Sequence, residues 1–175
     1  MNYFELYDLP ISFNPDQAIV KQQFYALSKK FHPDFYINES EEKQAEVLEL
    51  STLNNKAFQV LKDPQKRLHY ILELKNQLVE GENYALPQDF LMEMMDVNET
   101  MMDLEFDPDA IKLEGVKSQV DLFEQSLNKE LTELTTAFDT ANKEAQITLL
   151  KAIKDVYYRN KYLYRIKQSL ARITA

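Results

Sequence analysis

The chain has 175 residues, 45% of them hydrophobic, with two glycines, no cysteine and a formal charge of −9. That is enough apolar material for one ordinary domain or two small ones, and the missing cysteines exclude disulfides, thiolate zinc sites and a cysteine nucleophile. The acidic balance argues against non-specific nucleic-acid binding, no apolar run approaches a membrane span, and Met1-Asn2-Tyr3-Phe4-Glu5 carries neither a basic signal region nor an Arg-rich transit peptide. Abundant Leu, Glu, Lys and Gln favour helix. The expectation is a soluble, cytoplasmic, all-α protein.

Residues 2–9 read as a short first helix, with Tyr3, Phe4, Leu6, Tyr7 and Leu9 crowding apolar surface into few turns before Pro10. Asn14-Pro15 reads as the next start, Asn as cap and Pro at the first helical position, where no N–H is needed. Val20, Phe24, Leu27 and Phe31 then recur on one face of an amphipathic helix. Lys21 and Lys29 point away from that face and Lys30 lies on its flank. Pro33 disfavours helical dihedrals at His32 and donates no backbone hydrogen bond, so His32, Pro33 and Asp34 are expected in an exposed loop. A helix from about Glu41 to Leu61 follows, with Val47, Leu50, Leu53, Ala57 and Leu61 on one side. Asp63-Pro64 closes it, and Gln65 to Leu74 forms a shorter helix.

These elements make residues 1–75 one helical unit. Residues 76–86, with Asn76, Gly81 and Asn83, read as a linker. Residues 87–175 hold three helical patterns. The first spans about 88–104. The second starts at Asp107-Pro108, again a cap with Pro just inside, and carries Val116, Val120, Phe123, Leu127, Leu131, Leu134 and Phe138. The third covers about 144–172, with Leu149, Ile153, Val156, Leu163, Ile166 and Leu170. Short connections make them antiparallel neighbours in a three-helix bundle.

In the helix over 88–104, Phe90, Met94, Val97, Met101 and Leu104 share a narrow arc and form the core stripe. Leu91, Met92, Met95, Asp96, Glu99, Met102 and Asp103 fall on the other side. Three methionines and a leucine are thus left off the core face. An exposed apolar patch rimmed by carboxylates marks a partner site, and methionine suits one because it is flexible and polarizable. Residues 88–114 carry nine acidic side chains and one basic, Lys112, for a net −8. A basic or metal-loaded partner would be steered towards this end.

Two antiparallel helices joined by Phe31-His32-Pro33-Asp34 resemble a J-domain, the part of a co-chaperone that docks on a DnaK-type ATPase. Asn55-Lys56-Ala57-Phe58, then Leu61, Asp63-Pro64, Arg67 and Tyr70, are similar to the run that follows in J-domains, as is the opening Tyr3-Phe4-x-Leu6-Tyr7-x-Leu9-Pro10. Asn54 departs, where relatives usually carry an apolar residue, and reads as a local packing variation. Tyr3-Phe4, Phe35-Tyr36, Arg67-x-x-Tyr70-Ile71-Leu72, and Phe90-Leu91-Met92-Glu93-Met94-Met95-Asp96 with Glu99 narrow the resemblance to HscB, the J-type co-chaperone of iron–sulfur cluster assembly, over essentially the whole chain.

The resemblance implies a J-domain helical hairpin followed by a client-binding three-helix bundle, with no catalytic group and no cofactor. His32, Pro33 and Asp34, with Lys21, Lys29 and Lys30, would engage a DnaK/HscA-type chaperone and stimulate its ATPase. Leu91, Met92, Met95, Asp96, Glu99 and Asp103, with Tyr162, would hold an IscU-type scaffold protein. Readings from the residues alone stand beside this. The Leu91/Met92/Met95 stripe could be buried against the J-domain or a second helix, and the tyrosines at 157, 158, 162 and 164 suggest packing. His69 reads as a partly buried helix residue. The acidic cluster lacks the Gly-containing loop of a calcium site. A general J-protein for unfolded clients is the alternative function. An all-helical carboxylate enzyme would need Glu-x-x-His pairs, and residues 29 and 66 are both Lys.

Overall fold

The computed structural model describes residues 1–174, and every regular element among them is helical. The chain divides into two compact units, one of residues 1–76 and one from Gln77 onward.

In the first unit, α1 spans only Tyr3–Leu6. It is shorter than the expected 2–9 because local hydrogen bonds close it at both ends. Asn2 and Glu5 form a reciprocal capping box: Asn2 Oδ1 accepts the Glu5 N–H at 2.9 Å and Glu5 Oε2 accepts the Asn2 N–H at 3.0 Å. Asp8 then turns left-handed at φ +53°, which brings the Leu9 N–H to the Phe4 carbonyl at 2.9 Å. Such a closure satisfies the last carbonyls and ends the helix before Pro10 is reached.

Helix α2 is Gln17–Lys30, and its cap is Asp16 rather than Asn14. The Asp16 carboxylate accepts from Ala18 at 2.8 Å and Ile19 at 3.4 Å, a stronger cap than an amide two residues too early. Ser40 caps α3, Glu41–Lys62. Asp63 caps α4, Pro64–Leu74, by accepting from Gln65 and Lys66, so the helix starts at Pro64, one residue before the expected Gln65. Helices α2 and α3 pack together, burying Val20 against a core of Phe4, Tyr7, Val47, Ala57 and Leu61. The Phe24 and Phe58 rings stack at 4.0 Å. Arg67 is buried, and its guanidinium donates to the Phe13 carbonyl at 2.9 Å and the Leu61 carbonyl at 2.5 Å. It thus ties the segment before α2 to the end of α3.

The second unit is the three-helix bundle α5 (Gln88–Phe106), α6 (Ala110–Thr140) and α7 (Lys143–Thr174). Asp109, not Asp107, caps α6, accepting from Ile111 and Lys112. Asp107 instead ends α5, its N–H bonded to the Asp103 carbonyl. Phe90, Met94, Val97 and Met101 of α5, Val116, Val120 and Leu127 of α6, and Val156, Leu163, Ile166 and Leu170 of α7 make one buried cluster. The stretch read as a linker is anchored at its C-terminal half. The Tyr84 hydroxyl donates to Asp155 at 2.8 Å and its ring stacks on Tyr158 at 4.5 Å. Glu82 accepts from Lys154 at 2.8 Å and from the Tyr158 hydroxyl at 3.1 Å.

Candidate functional site

Two surfaces carry the residues singled out from the sequence. In the first unit, α2 ends where the Phe31 N–H bonds the Leu27 carbonyl. Pro33 cannot continue the ladder, and the chain tightens into a 3-10 turn, Pro33–Tyr36, in place of the expected irregular loop. His32 caps that turn. Its Nδ1 accepts the Asp34 N–H at 3.3 Å, and its carbonyl accepts the Phe35 N–H at 3.1 Å. The Tyr36 hydroxyl reaches back to the Lys30 carbonyl at 2.8 Å, fastening the turn to the end of α2.

The side chains of His32 and Asp34 are 53% and 79% exposed, with Nδ1 3.7 Å from a carboxylate oxygen. The turn therefore offers a carboxylate and an imidazole in a set geometry. Lys21, Lys29 and Lys30 of α2 are exposed, and the Lys30 ammonium lies 5.3 Å from the Phe31 ring centre. Beside the turn, Pro33, Tyr36, Ile37, Ala45 and Leu48 line a shallow groove. Sequence reasoning assigned Ile37 and Leu48 no role. Leu48 lies about 100° around the helix from Val47, on the side away from the core stripe, and is accordingly exposed.

The second surface lies on α5. The five core-stripe residues are all buried. On the opposite side Met92 is 66% exposed, Met95 58% and Met102 60%, while Leu91 is half-buried. Asp96, Glu99 and Asp103 run exposed alongside. The apolar stripe is thus open rather than covered by another helix. Lys112, the single cation of this region, reaches Asp103 at 3.4 Å. Phe106, at the last position of α5, is 88% exposed.

Tyr162 of α7 is half-buried. Its ring meets Phe90 edge-on at 5.8 Å and its hydroxyl accepts from Asn98 at 3.4 Å, so it packs beside α5 rather than standing on the open stripe. Tyr157 and Tyr158 pack, as expected, but Tyr164 is exposed. His69 is exposed as well, contrary to the partly buried reading, because it lies on the outer face of α4 with Nε2 3.2 Å from Glu73. Among the described residues no group of carboxylates and histidines is placed to hold a metal ion, and no helix is long and apolar enough to cross a membrane.

Comparison with known proteins matches both units. Residues 3–70 match the DnaJ domain, and residues 86–171 match the family described as the HSCB C-terminal oligomerisation domain. The chain is 35% identical over 135 residues to the co-chaperone protein HscB homolog of Haemophilus ducreyi, covering 76% of this chain and 78% of that protein. It is 42% identical over 105 residues to the co-chaperone protein HscB of Buchnera aphidicola, covering 59% and 60%. Among solved structures, that of human co-chaperone protein HscB aligns with a TM-score of 0.70 at 25% identity, covering 98% of this chain and 81% of that one. The chaperone HscB from Vibrio cholerae aligns with a TM-score of 0.59 at 27% identity, covering 99% and 98%.

Proposed function

The chain belongs to the HscB family of J-domain co-chaperones, and from that premise we propose that it serves iron–sulfur cluster assembly by bringing an IscU-type scaffold to a DnaK/HscA-type chaperone. The observation that carries this reading is the presence, in one chain, of an exposed His-Pro-Asp turn and an exposed apolar helix face edged with carboxylates.

His32, Pro33 and Asp34 dock on the chaperone, with the Asp34 carboxylate as the acceptor that meets its surface. Lys21, Lys29 and Lys30 steer the encounter with an acidic partner. The protein supplies no catalytic group. It favours a conformation in which the chaperone hydrolyses its own ATP, a shift limited by how much more tightly the turn binds that conformation than the resting one. Leu91, Met92 and Met95 bury apolar surface against the scaffold, while Asp96, Glu99 and Asp103 set its register. Tyr162 supports that face from the side by packing on Phe90. Residues 1–75 serve as the chaperone-binding domain and 87–175 as the client-binding domain. Joining both on one chain raises the effective concentration of client at the chaperone.

The test is steady-state ATP hydrolysis by a DnaK/HscA-type chaperone with this protein, with and without a purified IscU-type scaffold. Greater stimulation by the two together than by their separate effects supports the specialised role. Stimulation indifferent to the scaffold leaves a general J-protein for unfolded clients and rejects the iron–sulfur reading.

A further inference from the structure

We propose that the client-binding face runs the whole length of α5, through Met102 to Phe106, and takes one cationic amphipathic segment of the partner. This deepens the scaffold-binding reading above and rests on it.

Leu91, Met95, Met102 and Phe106 stand at i, i+4, i+11 and i+15. At about 100° per residue they fall within about 60° of one another, a single stripe. At about 1.5 Å per residue it is roughly 22 Å long. Met102 falls on this side of the helix by its spacing but is not among the residues assigned to hold the scaffold, and Phe106 is assigned no role. Yet Phe106 is the most exposed large hydrophobic side chain among the described residues, at the last helical position, where a polar side chain would fit equally well. Burying a phenyl ring is the kind of contact that dominates association.

The stripe has unlike edges. Asp96, Glu99 and Asp103 line one side; on the other Asn98 meets Tyr162 through a hydrogen bond, with Glu105 exposed near the C-terminal end. An occupant of matching chemistry has an apolar ridge with basic side chains along one flank. Within residues 88–114 Lys112 alone offsets the acids, through its exposed pair with Asp103, and such a pair is weak enough to yield to a partner's cation. A second copy of the chain is disfavoured, because a two-fold contact would set a region of net −8 against itself. An anionic lipid surface is disfavoured by the same charge.

The test is calorimetric titration of the full chain with a purified IscU-type scaffold. Met102→Ser with Phe106→Ser is expected to weaken binding by about tenfold or more, with an unchanged thermal melt because both side chains are exposed. Ile147→Ser, at another exposed hydrophobic, should bind as wild type. In the unaltered protein, amide exchange over 101–106 should slow when scaffold is added. If Met92→Ala with Met95→Ala weakens binding but the Met102/Phe106 variant does not, the face ends in the first half of α5 and this inference falls while the scaffold reading stands. If the unaltered protein does not bind the scaffold at all, the scaffold reading itself falls. Sedimentation showing a wild-type dimer that the Met102/Phe106 variant dissolves would make a second copy the occupant and overturn the proposal.

Discussion

The hydroxyl of Tyr7 donates to Asn54 Oδ1 at 2.8 Å, with the Asn54 carbonyl 3.1 Å away, and both residues are buried. Asn54 spends its Nδ2 hydrogens on the Phe24 carbonyl at 3.1 Å and Ser28 Oγ at 3.0 Å. One amide thus joins α3 to α2 and to the end of α1, without leaving a buried polar atom unpaired. Asn54→Leu and Tyr7→Phe should each destabilise by about 1–3 kcal/mol, since each strands a buried partner. The double variant should lose less than the sum, by about 1 kcal/mol. Urea unfolding of the four proteins measures this coupling, and strictly additive losses would show that the two side chains act independently.

Alkaline pH should loosen the fold through its buried tyrosines. Burial raises Tyr7 above the usual phenol range, and burial together with the hydrogen bond to Asp155 pushes Tyr84 up to about 12. An unfolded tyrosine ionises near pH 10. The native state therefore holds protons that the unfolded state releases, so this stabilisation is complete below pH 10 and is lost as pH rises from 10 to about 12. Melting temperature against pH should fall across that window, and Tyr84→Phe should flatten the fall. An equal slope in the variant would remove Tyr84 from the effect.

Asp34→Asn should abolish stimulation of the chaperone's ATPase and leave scaffold affinity unchanged. The side chain is 79% exposed, and a surface change of this kind alters stability by less than about 0.5 kcal/mol. ATPase assays alongside scaffold titration separate the two effects. Stimulation that survives would remove the His-Pro-Asp turn from the docking site.

Lys29→Ala with Lys30→Ala should raise the concentration needed for half-maximal stimulation by about threefold to tenfold at low salt, with the maximal rate unchanged. Exposed charges act on encounter more than on the bound state. The gap from wild type should narrow in high salt, where exposed charges are screened beyond about 10 Å or less. A reduced maximal rate would instead give the lysines a part in the docked complex.

Met92→Ala with Met95→Ala should weaken the scaffold complex by about tenfold while ATPase stimulation without scaffold stays at the wild-type level. Both side chains are more than half exposed, so the melting temperature should hold. Unchanged scaffold affinity would move the client site elsewhere on the bundle.

Much of this was legible because it depends on near neighbours along the chain. The 3.6-residue period separated Phe90, Met94, Val97, Met101 and Leu104 from the methionine face, and the burial follows that division residue by residue. Cap positions were harder to read, since adjacent candidates compete for the same N–H groups. Asn14-Pro15 and Asp107-Pro108 each precede an aspartate, Asp16 or Asp109, whose carboxylate captures two of them. At Asp63-Pro64, read from the sequence only as the end of α3, no later acid competes, and Asp63 itself becomes the cap of α4.

The sequence by itself determined the helices, their apolar faces, the break at Pro33 and the acidic character of α5, all set by spacing, backbone sterics and charge. Tertiary structure decided the role of Asn54, the anchoring of Glu82 and Tyr84 on α7 and the packing of Tyr162 against α5. Tyr7 and Asn54 are 47 residues apart, Glu82 and Lys154 are 72. A polar side chain's place in a fold depends on which distant donor or acceptor reaches it, and no local periodicity encodes that.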